Sequence, residues 1–352
     1  MIKGPEKYLF FWVLPFSAWI SVTGFGYWTY ATLILSFGII PIIEFLFPVQ
    51  EQNLSAEAEK KERKNPVYDY LLYVIPFIHW GILALFMIRL TTDSLEIWEL
   101  VGRISAAGLM CGVAGINVAH ELGHRSSKFD QFLAQWLLLS SFYQHFFIEH
   151  NKGHHRYVAT PEDPSSARYR EWIFTFWGRA VYMGYRSAWK IQLLELRVDG
   201  KSFFSINNLM LKFQIVQLVW AICVILLFPL HVAWAYFAAA LMGILLLETV
   251  NYIEHYGLRR EKRTANVYEK TRPWHSWNSN HILGRLLLFE LSRHSDHHYA
   301  PQRKYQILKH HENAPQMPTG YPGMMLLSLL PPLFFAVMDR TAKKFGIKLD
   351  KA

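Results

Sequence analysis

Cysteine is nearly absent from this sequence. The 352 residues contain two, Cys111 and Cys223, each inside an apolar run and in no CxxC or CxxxC pattern. That excludes a disulfide framework, a thiolate zinc site and a built-in iron–sulfur centre. If the chain performs redox chemistry, its electrons must come from another protein. Charge is scarce as well: 18% of residues are Asp, Glu, Lys or Arg, against roughly 25% in ordinary soluble domains. With 52% of the chain drawn from AVILMFWYC, too little polar surface remains for a soluble protein of this length. The mean hydropathy of +0.11 averages long apolar runs with long basic stretches, and the local runs decide. No internal repeat is visible.

What is present is a set of six apolar runs, at 8–27, 28–47, 68–90, 97–119, 209–230 and 233–253, each about as long as a helix needs to cross a ~30 Å hydrocarbon layer. The first is not expected to be a cleaved leader, because a second run follows at once and no small-x-small site precedes it. Pro15, Pro41 and Pro76 read as kinks inside helices. Lys3 and Lys7 precede the first run, and Lys60, Lys61, Arg63 and Lys64 separate the second from the third. The junctions Gly24–Tyr27, Thr91–Glu96 and Pro229–Val232 contain no Lys or Arg, although Arg89 and Arg103 flank the middle one. The positive-inside rule then puts both termini on the cytoplasmic side of the inner membrane. The expected fold is an all-α polytopic membrane protein, one domain over 1–352, with six transmembrane helices and a cytoplasmic helical cap from segments 120–208 and 256–352. Shorter apolar runs at 131–148 and 322–338 read as interfacial helices, with a seventh span at Met324–Met338 as the alternative. The net charge of +9 fits basic cytoplasmic loops, anionic lipid or an acidic partner, and does not argue for nucleic acid.

Nine of the sixteen histidines fall in four clusters, all at cytoplasmic span ends or in cytoplasmic segments. His120 and His124 in HELGH share one helix face through their i, i+4 spacing. The string also satisfies the HExxH pattern of zinc proteases, with Glu121 as the base. His150, His154 and His155 repeat the spacing and add an adjacent imidazole, His255 stands in NYIEHYG, and His294, His297 and His298 form the fourth cluster. A protease needs three ligands and would leave six of these histidines unexplained, whereas nine imidazoles can serve two metal ions. Imidazole-rich sites suit iron, copper, zinc or nickel about equally. Glu121, Glu149, Glu254 and Asp296 stand beside the clusters and are expected to accept the outer N–H of an imidazole, not to bind metal. His79, His145, His231, His275, His281, His310 and His311 are expected to be interfacial or hydrogen-bonded, with His275 and His281 nearest the site.

HELGHR, EHNKGHHRYVATPEDP, NYIEHYGL and LSRHSDHH, in this order, resemble the integral-membrane alkane monooxygenases, a branch of the membrane fatty-acid desaturase and hydroxylase superfamily. WHSWNSNHIL and TGYPGMMLLSLLPPLFFAVMD look like the same branch, so the resemblance covers nearly the whole chain. It implies two non-haem irons held by His120, His124, His150, His154, His155, His255, His294, His297 and His298. It further implies hydroxylation of the terminal methyl of medium- to long-chain n-alkanes, with O2 as co-substrate and electrons from rubredoxin and a NAD(P)H-dependent rubredoxin reductase. Ser292 stands where the family usually has glutamine. An unactivated methyl C–H offers no leaving group and no acidic proton, so a strong oxidant generated at a metal is the chemistry that can reach it. Arg125, Arg156, Asp163 and Asp296, with Glu121 and Glu254, are the candidates for ordering the site from behind the ligands. Lys152, Arg156, Arg303 and Lys304 flank the clusters and are the expected docking contacts for an acidic rubredoxin. Ser36 and Gly38, small residues in the second run, are expected to leave space for a linear substrate. An acyl desaturase, an aryl-methyl hydroxylase and a divalent-metal transporter stay open as alternatives, although transporters place their ligands near the bilayer midplane.

Overall fold

The computed structural model describes residues 4–264, 267–347 and 349; Lys3 and the extreme ends of the expected 1–352 domain lie outside them. Helix dominates. In chain order the helices are α1 (Val13–Thr23), α2 (Gly26–Leu46), α3 (Ala56–Lys64), α4 (Val67–Thr92), α5 (Ile97–Gly123) and α6 (Lys128–Leu139). Next come α7, in which Phe146–Ile148 continues into the π-helical Glu149–His154 and then His155–Tyr157, and α8 (Ile173–Val198), α9 (Leu209–Leu227) and α10 (Leu230–His255). After an antiparallel ribbon of β1 (Lys262–Thr264) and β2 (Val267–Tyr268), in which Lys262 faces Tyr268, the chain ends in α11 (Ile282–Leu287), α12 (His294–Tyr299), α13 (Tyr321–Ser328) and α14 (Pro331–Lys344).

Five helices, α2, α4, α5, α9 and α10, are long and apolar enough to cross a membrane. They match five of the six expected runs to within a few residues. The run at 8–27 is not among the five, because its α-helical part is the 11-residue α1, entered through a 3-10 helix at Pro5–Trp12. Pro76 sits inside α4 without ending it. In α2, Pro41 follows a π-helical stretch at Leu35–Ile39, the wider turn that relieves the clash between a proline ring and the carbonyl four residues earlier.

The longest element that periodicity of apolar runs did not reveal is α8. Arg179, Arg186, Lys190 and Glu195 interrupt its sequence, yet Ile173, Phe176, Ala180, Gly184, Ala188, Gln192 and Leu196 are buried along one stripe, the 3.6-residue period of an amphipathic helix. It packs on α7 and α10. The expected interfacial run at 322–338 is two helices, α13 and α14, broken at Leu329 and Leu330 before the Pro331-Pro332 pair.

The contact between α5 and α10 sets the distance between the two halves of the site. Gly108, Gly112 and Gly243 let the backbones approach, as small residues do in membrane helix pairs. A Cβ on Gly243 would lie 2.5 Å from Cys111 Cβ and 3.0 Å from the Gly112 nitrogen. Gly243→Val is expected to destabilise the protein by about 1–3 kcal/mol through overpacking, read as a lower midpoint in heat unfolding followed by circular dichroism in detergent, with Gly243→Ala intermediate. An unchanged midpoint for the valine variant would contradict this packing.

Candidate metal centre

All nine cluster histidines converge, and they do so at two points. His120, His124, His150, His155 and His297 form one group, and His154, His255, His294 and His298 form the other; within each, the candidate ligand atoms lie within 4.8 Å of one another. Nε2 of His120 is 2.9 Å from that of His297, His150 is 2.9 Å from His124, and His155 is 3.1 Å from His150. In the second group, Nε2 of His294 lies 3.1 Å from His255 and 2.9 Å from His298. Seven of the nine are buried and His124 and His155 are half-buried.

Helix pitch explains the five-to-four division. The i, i+4 pair His120 and His124 stays together at the end of α5, as the spacing predicts. His150 and His154 have the same i, i+4 spacing, but the π-helical turn between them bonds i to i+5. His150 therefore stacks over His155, and His154 swings into the other group. Helix α12 lies between the two points. Its i, i+4 pair His294 and His298 serves one, and His297, about 100° away around the helix, serves the other.

The donor set fits metal ions. Burial, reinforced by His154, pushes His124 down to about 3; burial and neighbouring imidazoles hold His150, His155, His297 and His298 well below the ordinary imidazole range. These rings are neutral lone-pair donors, the state that metal binding requires. Neutral imidazoles pointing Nε2 at Nε2 cannot all satisfy one another by sharing protons, whereas one cation at each point satisfies every one. His154 differs: burial disfavours its cation, but the carboxylates of Asp163, Glu149 and Glu248 together outweigh burial and raise its pKa.

Asp163 lies 2.9 Å from Nδ1 of His154 and also accepts from Ser166 Oγ at 2.6 Å and Ser165 N at 3.1 Å. It thereby fixes the tautomer that leaves Nε2 free. Glu254 stands elsewhere than expected: Tyr321 donates to its Oε1 at 2.6 Å, and its Oε2 is 3.2 Å from Nε2 of His294. Its carboxylate thus faces the metal side of that imidazole, not the outer N–H. Glu121 turns away to Arg125, 3.1 Å off, which also holds Asp69 at 2.8 Å. A protease base would face the metal, so this placement removes the HExxH reading. Asp296 accepts from Arg303, from the Lys309 nitrogen at 2.9 Å and from His311 at 2.7 Å, and Arg156 is exposed with its guanidinium over Tyr157. None of the seven other histidines joins either group. His79 meets Ser140, His231 meets the Leu90 carbonyl, His275 meets Glu269, His281 meets Ser279 and His310 meets Asn280, while His145 packs on Tyr143.

An apolar cavity opens onto both groups, with His120, His150 and His294 in its wall beside Glu254, together with Leu14, Ser36, Phe37 and Ile40. Gly38 is not part of that wall. Asn117, Phe146, Asn251 and Tyr321 also line it and were not singled out from the sequence. Only their positions, one turn from a ligand on α5, α7 and α10 or in the late family-like run, marked the first three and Tyr321 respectively. A second cavity shares Phe37, Leu246 and Met325 with the first.

The sequence model of the fatty acid desaturase family matches residues 96–328. An alkane 1-monooxygenase 1 of Alcanivorax borkumensis is 38% identical over 321 residues, 91% of this chain and 79% of that protein. An alkane 1-monooxygenase of Pseudomonas putida is 36% identical over 351 residues, 95% and 85%. A xylene/toluene monooxygenase hydroxylase component of Pseudomonas putida is 27% identical over 341 residues, 94% and 87%. The chain belongs to the fatty acid desaturase family, in its alkane 1-monooxygenase branch. It is a monooxygenase, an oxidoreductase whose histidine groups are compatible with a di-iron site.

His297→Ala removes a ligand from the five-histidine group and His255→Ala one from the four-histidine group. Each is expected to lower the metal-to-protein ratio by about half while the other ion stays, measured by plasma mass spectrometry on purified protein. Retention of the full metal content by both variants, or a wild type holding a single zinc, would contradict the two-ion assignment.

Proposed function

We propose that this chain hydroxylates the terminal methyl of medium- to long-chain n-alkanes at two non-haem irons, the nine histidines dividing five to four between them. The observation that carries this reading is the apolar cavity that ends on His120, His150 and His294. The relatives named alkane 1-monooxygenase at 34–38% identity support the same substrate class. One oxygen atom of O2 enters the alcohol and the other leaves as water, a turnover that consumes two electrons and two protons. Bound iron would supply the one-electron chemistry that activates O2, and positioning falls to the chain's own side chains.

An alkane has nothing to hydrogen-bond, so shape alone places it, each buried methylene contributing ~0.8 kcal/mol. Leu14, Phe37, Ile40, Leu287 and Leu291 line the apolar space that would hold the chain, and Phe146 packs on the His150 ring, their centroids 4.7 Å apart. A bore of that kind presents one chain end and keeps internal carbons away. Tyr321 holds Glu254 by hydrogen bond at the wall where the methyl arrives, and the apolar lining excludes bulk water from it.

The membrane arrangement belongs to the same reading: six spans in the inner membrane, with both termini and the site cytoplasmic. At about 2.0 Å per 3-10 residue and 1.5 Å per α residue, Pro5–Trp12 with Val13–Thr23 reaches roughly 30 Å, enough for the sixth span. Asp93 pairs with both Arg89 at 2.9 Å and Arg103 at 2.7 Å, so these arginines do not weaken the charge asymmetry that supports the orientation. The donor is rubredoxin, reduced by a NAD(P)H-dependent rubredoxin reductase; the chain's own lack of a thiol-bound redox centre supports this. Of the four cations expected to dock it, Lys152 pairs with Glu195, Arg303 with Asp296 and Lys304 with Asp69, and Arg156 forms no ion pair among the described residues.

Membranes containing the protein, supplied with NADH, reductase, rubredoxin and a series of n-alkanes, are expected to yield 1-alcohols by gas chromatography. Mainly internal alcohols, or a preference for aryl-methyl substrates, would overturn the reading. Ser36 lines the cavity, so Ser36→Trp is expected to shift preference toward shorter alkanes with metal content intact; an unchanged chain-length profile would remove Ser36 from the substrate path.

A further inference from the structure

We propose that the face formed by residues 156–170, 257–264 and 267–272 is the docking surface for a small acidic electron-carrier protein, which delivers electrons toward the four-histidine group by way of Asp163 and His154. The inference rests on the reading that a separate protein supplies the electrons. Its first support is a route. Among the described residues, His154 is the one ligand candidate whose Nδ1 meets a carboxylate, Asp163 at 2.9 Å. Asp163 is itself 2% exposed, yet it lines a shallow surface dimple together with Thr160, Pro161, Arg168 and Arg259. One side chain and one hydrogen bond therefore separate a ligand imidazole from a concave patch of surface.

The second support is charge. Segments 156–170 and 257–272 contain nine Lys and Arg against four Asp and Glu, and Asp163 is one of those four and buried. Arg168 is exposed, Arg259 half-exposed, and neither forms an ion pair among the described residues. The other basic face, around α3 and residues 303–309, is compensated in part: Arg63 and Lys309 share Glu59, Arg303 holds Asp296 and Lys304 holds Asp69, which leaves Lys60, Lys61 and Lys64 without an ion pair among the described residues, while Arg170 is paired with Asp339 on the proposed face. The Asp296 carboxylate, moreover, bonds no ligand imidazole.

The third support is rigidity. The Arg260 nitrogen donates to the Ala159 carbonyl at 2.8 Å, its guanidinium to the Arg156 carbonyl at 2.9 Å and to the Glu269 carbonyl at 2.8 Å, and the Gly257 nitrogen to the Ala167 carbonyl at 3.0 Å. Loop and ribbon thus form one preorganised platform. Exposed Val267, on the ribbon, adds an apolar contact of the kind docking interfaces favour. Each encounter oxidises the carrier by one electron and reduces the histidine-held centre by one, so two encounters supply one turnover.

The test uses the metal-free and the metal-loaded protein in nanodiscs of neutral phosphatidylcholine, with rubredoxin as the acidic probe and binding read by biolayer interferometry. Arg168→Glu with Arg259→Glu is expected to weaken binding to both forms by about tenfold at low salt and to flatten its ionic-strength dependence. The milder Arg168→Gln with Arg259→Gln is expected to weaken it by about threefold, which separates lost charge from misfolding. Lys60→Glu with Lys61→Glu, on the other basic face, is expected to change it by less than about twofold. An equal or larger loss for the Lys60 and Lys61 pair, or no loss for either arginine pair, overturns the proposal. So does a result in which the arginine pairs lose affinity for phosphatidylserine vesicles and keep it for rubredoxin. Wild-type protein given dithionite in place of the carrier makes alcohol if the functional reading holds, so a chain that hydroxylates chemically but binds no rubredoxin fails on docking alone.

Discussion

Nine imidazoles have to aim one nitrogen each at two points inside a low-dielectric interior, and the rest of the structure depends on that requirement. The ligands come from four segments spread between His120 and His298, so no local element can hold the set. Metal binding at such a site is folding free energy, since the unfolded chain has no preformed counterpart. The electrostatics are equally demanding, because two cations bound only by neutral nitrogens would leave their charge uncompensated. Glu149, Asp163, Glu248 and Glu254 are all buried around the histidines. Four buried carboxylates would be costly alone; metal ions bound by the histidines would balance that charge, and each partner would make the other tolerable.

Holding α12 in place takes a second layer built from the loop before it. Ser295 donates from its nitrogen to Asn278 Oδ1 at 2.8 Å and from its hydroxyl to the Ser276 carbonyl at 3.0 Å. The Trp277 nitrogen donates to the Glu254 carbonyl at 2.8 Å and its indole to the Tyr256 carbonyl at 2.9 Å. The end of α10, with His255, and the start of α12, with His294, are thereby fixed to one strip of chain. Ser292, the departure from the family pattern, takes part through its backbone: its carbonyl accepts from the Ser279 nitrogen at 2.9 Å. A side chain at that position can change without loosening the strip.

Much of this was legible in the sequence, for identifiable physical reasons. Five membrane helices and the nine histidines stood out because an apolar run of span length and a repeated i, i+4 histidine have few other readings. Helix α8 did not stand out, since its charged outer face hides the buried stripe from any test for continuous apolarity. The run at 8–27 looked like a standard span, and only the 3-10 start shows how it differs. Two of the cations flanking the ligands, Lys152 and Lys304, lie against carboxylates far away in sequence, and one-dimensional charge counting cannot see such pairs. The five-to-four division lay beyond reach for a related reason, because composition gives little warning of a π-helical turn.

That turn sets which of the two points each imidazole faces. A π-helical turn is one residue longer than the α-helical turn it replaces, so it behaves as a phase shift in the chain. Were the same residues wound as an α-helix, His154 and not His155 would stand one turn above His150, and the residues that follow would be carried about 100° around the axis. The two groups are told apart by reading phase, with every histidine in the sequence unchanged.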